Sequence, residues 1–216
     1  MPNATTLALL LATSCCLLLT AYNLRLRGHL AAARHEARHD ELTGLPNRRA
    51  MLAHLDQVLS NPAHRVAVLL LDLDRFKDVN DEYGHAAGDF VLRHVAVALV
   101  RAAPPRTIVG RMSGDEFLII VDGDADTARS CAQAAANALA NATITLRWQP
   151  FHCHASIGLA NAGPGPGPGH RAATELLAQA DAAMYAAKQA GGGVREYHPD
   201  LTDLSRRTDN DRRRFR

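Results

Sequence analysis

An α/β chain of the α+β kind, with a sheet flanked by helices, is predicted by three observations. The run Val66-Ala67-Val68-Leu69-Leu70-Leu71 has the length and continuous apolarity of a buried strand, and it ends in Asp72-Leu73-Asp74. Thr107-Ile108-Val109 and Phe117-Leu118-Ile119-Ile120-Val121 flank Ser113-Gly114 and read as a β-hairpin, with Gly114 supplying the positive φ of the tip. The chain has 216 residues, 47% hydrophobic and 21% charged, which is enough for a sizeable core. Few aromatics and many alanines imply closely packed helices.

In chain order, the first element is an uncharged run of 19 residues from Ala4 to Tyr22. As a helix it would span about 28 Å, close to the ~30 Å of a bilayer core. It predicts a single membrane anchor within residues 1–24. A cleaved signal peptide is the competing reading, but that wants basic residues ahead of the apolar stretch, whereas Arg25 and Arg27 follow it. The positive-inside bias then places everything downstream on the cytoplasmic side of the inner membrane. Residues 25–41 form a linker in which Leu24, Leu26, Leu30, Ala33 and Ala37 recur at rough helical spacing, a helix that could pair protomers. No sensor domain fits in so short a stretch.

Residues 42–198 read as the main domain: helix at 48–59, strand at 65–72, helix at 88–101, the hairpin over 107–121, helix at 125–140, strands at 143–148 and 152–160, helix at 172–189 and a last strand at 194–197. The Gly163 to Gly169 run of alternating Gly and Pro is a loop. Residues 199–216 form a basic tail predicted to be disordered, with six Arg against three Asp over 203–216. A solubilising role and attraction to anionic lipid are its two readings. Nothing aromatic interleaves the charge, so no nucleic-acid partner is expected. Cys15 and Cys16 lie within the apolar run and Cys131 and Cys153 are isolated, which gives no disulfide framework.

The chemistry lies in two acidic pairs. Asp115-Glu116 follows the hairpin tip and Asp72-Leu73-Asp74 ends the buried strand; ligands collect at such strand ends. If the strand lies beside the hairpin, Asp72 and Asp115 converge, and their repulsion calls for a cation. Oxygen-only donors favour Mg²⁺ or Mn²⁺, completed by water and phosphate, which implies a nucleotide substrate. An acidic surface hairpin without function is the plainer reading of Asp115-Glu116 alone.

Five ordered segments extend the pattern. Asp40-Glu41-Leu42-Thr43-Gly44-Leu45-Pro46-Asn47-Arg48-Arg49 opens it; Leu71-Asp72-Leu73-Asp74-Arg75-Phe76-Lys77-Asp78-Val79-Asn80-Asp81 follows, with Gly84-His85 and Gly88-Asp89 behind it. Ser113-Gly114-Asp115-Glu116-Phe117 stands next, then Ser156-Ile157-Gly158-Leu159-Ala160, then Ala180-Asp181-Ala182-Ala183-Met184-Tyr185-Ala186-Ala187-Lys188. Together, over roughly residues 40–198, they resemble the GGDEF domain, the diguanylate cyclase module, with serine in the first signature place.

The resemblance implies a nucleotidyl-cyclase-like fold with a central, mostly antiparallel sheet. It also implies a reaction, condensation of two GTP into cyclic di-GMP with release of two pyrophosphates, each protomer of a homodimer holding one GTP. By position, Asp72, the Leu73 carbonyl, Asp115 and Glu116 would hold two Mg²⁺ or Mn²⁺ ions per site. Asp115 or Glu116, or a water, would take the proton of the attacking 3′-hydroxyl. Asn80 and Asp89 match guanine-reading positions, which suits a base offering N1–H and N2–H₂ donors. His85 matches a further nucleotide contact, beside its plainer reading as a turn-stabilising histidine. Phe76 and Leu92, with Leu45, would floor the base or simply pack the core. Lys77 matches a lysine that contacts phosphate in the transition state, and Lys188 a triphosphate contact; solvated surface lysine is the plainer reading of Lys77.

The chain departs from the family pattern in three places. Gly191-Gly192-Gly193 stands where the family carries glycine, arginine and asparagine, so one phosphate-directed arginine, expected at position 192, is missing, and Arg195 is its nearest substitute. Weaker GTP binding is expected. Pro104-Pro105-Arg106-Thr107 lacks the RxxD product-inhibition site. Ser113 is expected to add a little strain to the hairpin, a fraction of the ~1–3 kcal/mol typical of forced backbone. Two rival functions follow: an inactive GTP or dinucleotide receptor, and a membrane interaction module that keeps only the fold.

Overall fold

A computed structural model describes residues 3, 17–27, 37–61, 63–162 and 170–201. Most of the predicted membrane span, much of the linker, the Gly-Pro loop and the arginine-rich tail lie outside these residues. The chain divides into two units, Met1–His39 and Asp40–Arg216. In the first, residues 17–27 are helical, with Leu17, Leu18, Leu19, Tyr22 and Leu24 exposed. Among the described residues no helix is long and apolar enough to cross a membrane.

The second unit runs α1 (Arg48–Leu59), β1 (Val66–Leu73), α2 (Phe76–Tyr83), α3 (His85–Ala102), β2 (Thr107–Ser113), β3 (Glu116–Asp122), α4 (Ala125–Ala140), β4 (Ile144–Leu146), β5 (Gln149–Phe151), β6 (Ala155–Asn161), α5 (His170–Gln189) and β7 (Gly193–Glu196). Five strands form one sheet in the order β2-β3-β1-β6-β7. The buried run predicted from sequence is its central strand.

The expected mostly antiparallel sheet is corrected to a mixed one. β1 pairs antiparallel with β3 and β6, and β2 with β3, but β6 pairs parallel with β7. The cause is connectivity: α5 lies between β6 and β7 as a crossover, and a crossover returns the chain in the same direction.

Alternation along β1 sorts the core into two layers. Ala67, Leu69, Leu71 and Leu73 pack on one face with Val91, Val95 and Leu99 of α3 and Ala128, Ala132 and Leu139 of α4. Val66 and Val68 pack on the other with Met51 and Leu55 of α1 and Leu176 and Ala180 of α5. α5 comes very close to the sheet because Gly158 has no side chain: a Cβ there would lie 2.0 Å from the Ala180 carbonyl oxygen and 2.2 Å from the Met184 nitrogen.

Two elements differ from the sequence reading. Residues 76–83 form the separate helix α2, and the predicted strand at 143–148 shortens to β4 and a turn, beyond which an unpredicted strand, β5, pairs back on it as a small hairpin. Its tip is Arg147-Trp148, both at positive φ, with Trp148 94% exposed. The Arg147 guanidinium stacks 5.3 Å from the centre of the Tyr83 ring, the last residue of α2.

Candidate functional site

The alternation that sends Val66, Val68 and Leu70 toward α5 sends Asp72 the same way, at the level where apolar packing ends. Asp72 is nonetheless only 8% exposed. Its cross-strand neighbours are Glu116 on β3 and Ser156 on β6. The Leu73 amide donates to the Asp115 carbonyl at 3.3 Å, carrying the β1–β3 contact into the hairpin turn. Asp72, Leu73, Asp115 and Glu116 are thereby gathered at one end of the sheet.

Lys188, in the last turn of α5, reaches the same point. Its Nζ lies 2.6 Å from Asp72 Oδ1. Burial pushes the Asp72 carboxyl above the ordinary carboxylate range, and the negative charges of Asp115 and Glu116 push it the same way, against the hydrogen bond from Lys188. Two residues beyond Asp72, Asp74 accepts from the Ser156 hydroxyl at 2.7 Å and donates its amide to the His154 carbonyl at 2.9 Å. Ser156 is fully buried. It gained no role from sequence, although its place on the α5-facing side of β6 follows from the two-residue period.

Arg111 clamps the hairpin. Its Nε and Nη2 donate to the Gly114 carbonyl at 2.9 and 2.7 Å, and its Nη1 donates to both Asp40 carboxylate oxygens at 3.0 and 3.1 Å. Asp40 also accepts from the Thr43 amide at 2.9 Å and the Thr43 hydroxyl at 2.7 Å. Burial alone would raise its pKa, but these hydrogen bonds hold it below the ordinary value. Ser113 donates its hydroxyl to Glu116 Oε2 at 2.7 Å. Gly114 carries the positive φ, 42°, and Ser113 does not, so the expected serine strain is absent.

The predicted base-reading residues gather on α2 and α3, which are joined at Gly84. Asn80 lies directly over Gly88: a Cβ at Gly88 would meet Asn80 Oδ1 at 2.0 Å and the Phe76 ring at 3.1 Å. Asp89 follows, exposed, and His85 is exposed at the start of α3. Leu45, Leu92 and Phe76 share one apolar cluster, so core packing and a floor for the base coincide. Lys77 is exposed in the first turn of α2, three residues before Asn80.

Position 192 has a conformational reason to be glycine. Gly192 sits at φ 103° and caps α5 by donating to the Ala187 carbonyl at 2.9 Å. A Cβ there would stand 2.8 Å from Asp74 Oδ2, whose carboxylate is tied to Ser156. The arginine expected at this place would therefore be strained in this backbone.

Among the described residues no three Asp, Glu, His or Cys side chains close into a metal-ligand set. The donor chemistry nevertheless suits a hard divalent cation. Asp72, Asp115 and Glu116 are all-oxygen donors, and their surplus negative charge raises the Asp72 carboxyl. Such an ion would take its remaining ligands from phosphate and water.

A family profile described as "Diguanylate cyclase, GGDEF domain" matches residues 37–193. The cyclic di-GMP phosphodiesterase PdeR of Escherichia coli is 36% identical over 73% of this chain and 23% of its own length. The diguanylate cyclase TpbB of Pseudomonas aeruginosa is 41% identical over 48% of this chain and 24% of its own. The chain thus spans about a quarter of these relatives. A crystal structure of the coiled coil and GGDEF domain of DgcB from Caulobacter crescentus in complex with c-di-GMP superposes with a TM-score of 0.74 at 30% identity, covering 88% of this chain and 99% of that one.

Proposed function

The chain belongs to the GGDEF family, and on that premise we propose that it is a diguanylate cyclase, condensing two GTP into cyclic di-GMP and two pyrophosphates. The observation that carries the reading is the meeting of Asp72, Asp115 and Glu116 at the end of β1 with Lys188 on Asp72. In this reading the Asp89 carboxylate accepts from guanine N1–H and N2–H₂, with Asn80 beside it, which selects GTP over ATP. Lys77 and Lys188 neutralise phosphate oxygens. Asp72, the Leu73 carbonyl, Asp115 and Glu116 would hold two Mg²⁺ or Mn²⁺ ions. Bound there, the ions would make the ribose 3′-hydroxyl more acidic and stabilise charge on the leaving pyrophosphate.

Asp115, Glu116 or a water accepts the 3′-hydroxyl proton as the oxygen forms a bond to the α-phosphorus of the partner's GTP, and the bond from that phosphorus to pyrophosphate breaks. The same exchange in the other direction closes the ring. One domain supplies half of this arrangement, so turnover requires a homodimer.

We extend the proposal to location. The apolar run 4–22 followed by Arg25 and Arg27 supports a single-pass anchor in the inner membrane with the domain on the cytoplasmic side. Retention of the chain in the membrane pellet after an alkaline carbonate wash supports this, and release overturns it.

Incubation of the full chain with GTP and Mg²⁺, followed by chromatography of the products, tests the function. Wild type yields cyclic di-GMP and Asp115→Ala none. The glycines after Lys188, which leave no arginine at position 192 for the triphosphate, favour a second reading as a receptor. Wild type that binds GTP without forming dinucleotide moves the assignment there; absence of binding leaves a structural module.

A further inference from the structure

We infer that Lys188 occupies the place of a divalent cation on Asp72 until a triphosphate draws it away, so that metal and nucleotide bind productively only together. This rests on the cyclase reading for the identity of the ligands, while the contact it starts from belongs to the chain alone.

Asp72 is a nearly buried carboxylate with two more carboxylates beside it, and such a group needs a countercharge. Lys188 provides it from 2.6 Å on Oδ1. An ammonium there blocks one of the oxygens a metal would use, and its positive charge opposes the approach of a divalent ion. Part of the remaining donor set is also engaged, since Glu116 Oε2 accepts from the Ser113 hydroxyl.

The lysine is built to leave. Ala183, Met184 and Ala187 are buried and fix α5, whereas the Lys188 side chain is 40% exposed. Its head can swing on a flexible four-carbon stem without moving the helix. A triphosphate serves both parties at once. It offers anionic oxygens to Lys188, and it offers the oxygen ligands that a cation lacks on the protein. The countercharge on Asp72 passes from ammonium to metal without the carboxylate ever standing unpaired.

Mn²⁺ binding, followed by electron paramagnetic resonance on the full chain in detergent, tests the exchange without reference to turnover. Without nucleotide, Lys188→Met should bind Mn²⁺ roughly tenfold or more tightly than wild type, because the competing positive charge is gone. Lys188→Gln, which keeps a polar head, should show the same direction. A GTP analogue with a methylene bridge between the α- and β-phosphorus should tighten Mn²⁺ binding strongly in wild type and far less in Lys188→Met. Asp72→Asn should weaken Mn²⁺ binding in both backgrounds.

Equal Mn²⁺ affinity of wild type and both Lys188 variants without nucleotide would overturn the inference, whatever the product assay gives. So would a wild-type affinity unmoved by the analogue. A wild type that forms no cyclic di-GMP while Lys188→Met still gains Mn²⁺ affinity removes the cyclase reading and keeps the exchange.

Discussion

Asp72 works against the fold it sits in. Its folded pKa lies above the unfolded value, first because it is buried and then because Asp115 and Glu116 face it. The folded state therefore holds this proton more tightly. Stability from this group rises as pH falls through the folded pKa and is lowest above it, where the carboxylate is charged. Asp72→Asn should accordingly raise the melting temperature at neutral pH by a few degrees while lowering product formation by on the order of 10²-fold or more. A thermal melt and a product assay on the same preparation check both. A lower melting temperature would show that the Lys188 contact outweighs burial. This tension was half legible in the sequence: Asp72 stood out because charge follows six apolar residues. Its partner at position 188 was assigned to phosphate, since nothing in linear spacing shows that the end of α5 lies over the end of β1.

At the scale of elements, the hairpin is held from outside itself. Arg111 grips the Gly114 carbonyl and, with the same guanidinium, Asp40, which lies 71 positions away. Asp40→Ala should cost about 1–3 kcal/mol, because Arg111 is largely buried and would lose its counterion. It should also reduce turnover, since the turn carrying Asp115 loses its clamp. Chemical denaturation and kinetics read the two effects. Asp40 and Asp122 both have pKa values held below the ordinary 3.8, Asp40 by Thr43 and Arg111 against its burial, Asp122 by Arg106 and His64 against its own. Their contribution is present above that value and lost as pH falls through the folded ones, so acid should loosen the hairpin only below about pH 4.

The same scale shows what pattern could and could not reveal. The hairpin and β1 were legible because glycine and unbroken apolarity mark them. α2 was not read as a separate helix because its eight residues are mostly polar and end at Gly84. The sequence pattern runs β4 on through its turn and passes over β5, because that turn is Arg147-Trp148, without the Gly or Asn that signals positive φ. The parallel β6–β7 pairing depends on where α5 returns the chain, which is tertiary information.

For the whole molecule, one domain presents half of the proposed site, so activity should depend on encounter. Specific activity of the detergent-solubilised chain should fall on dilution and recover when the protein is confined in vesicles, which raises its effective concentration. Constant activity per protomer across a hundredfold dilution, or roughly that range, would count against a catalytic dimer. A built-in optical reporter accompanies that experiment. The chain has a single tryptophan, Trp148, standing in water at the β4–β5 tip, and its neighbour Arg147 stacks on the residue that closes α2. Its fluorescence should peak near that of free indole and yield readily to acrylamide quenching. Any blue shift or protection on adding GTP analogue or raising protein concentration would then come from one known position, without a label and without engineering a second chromophore.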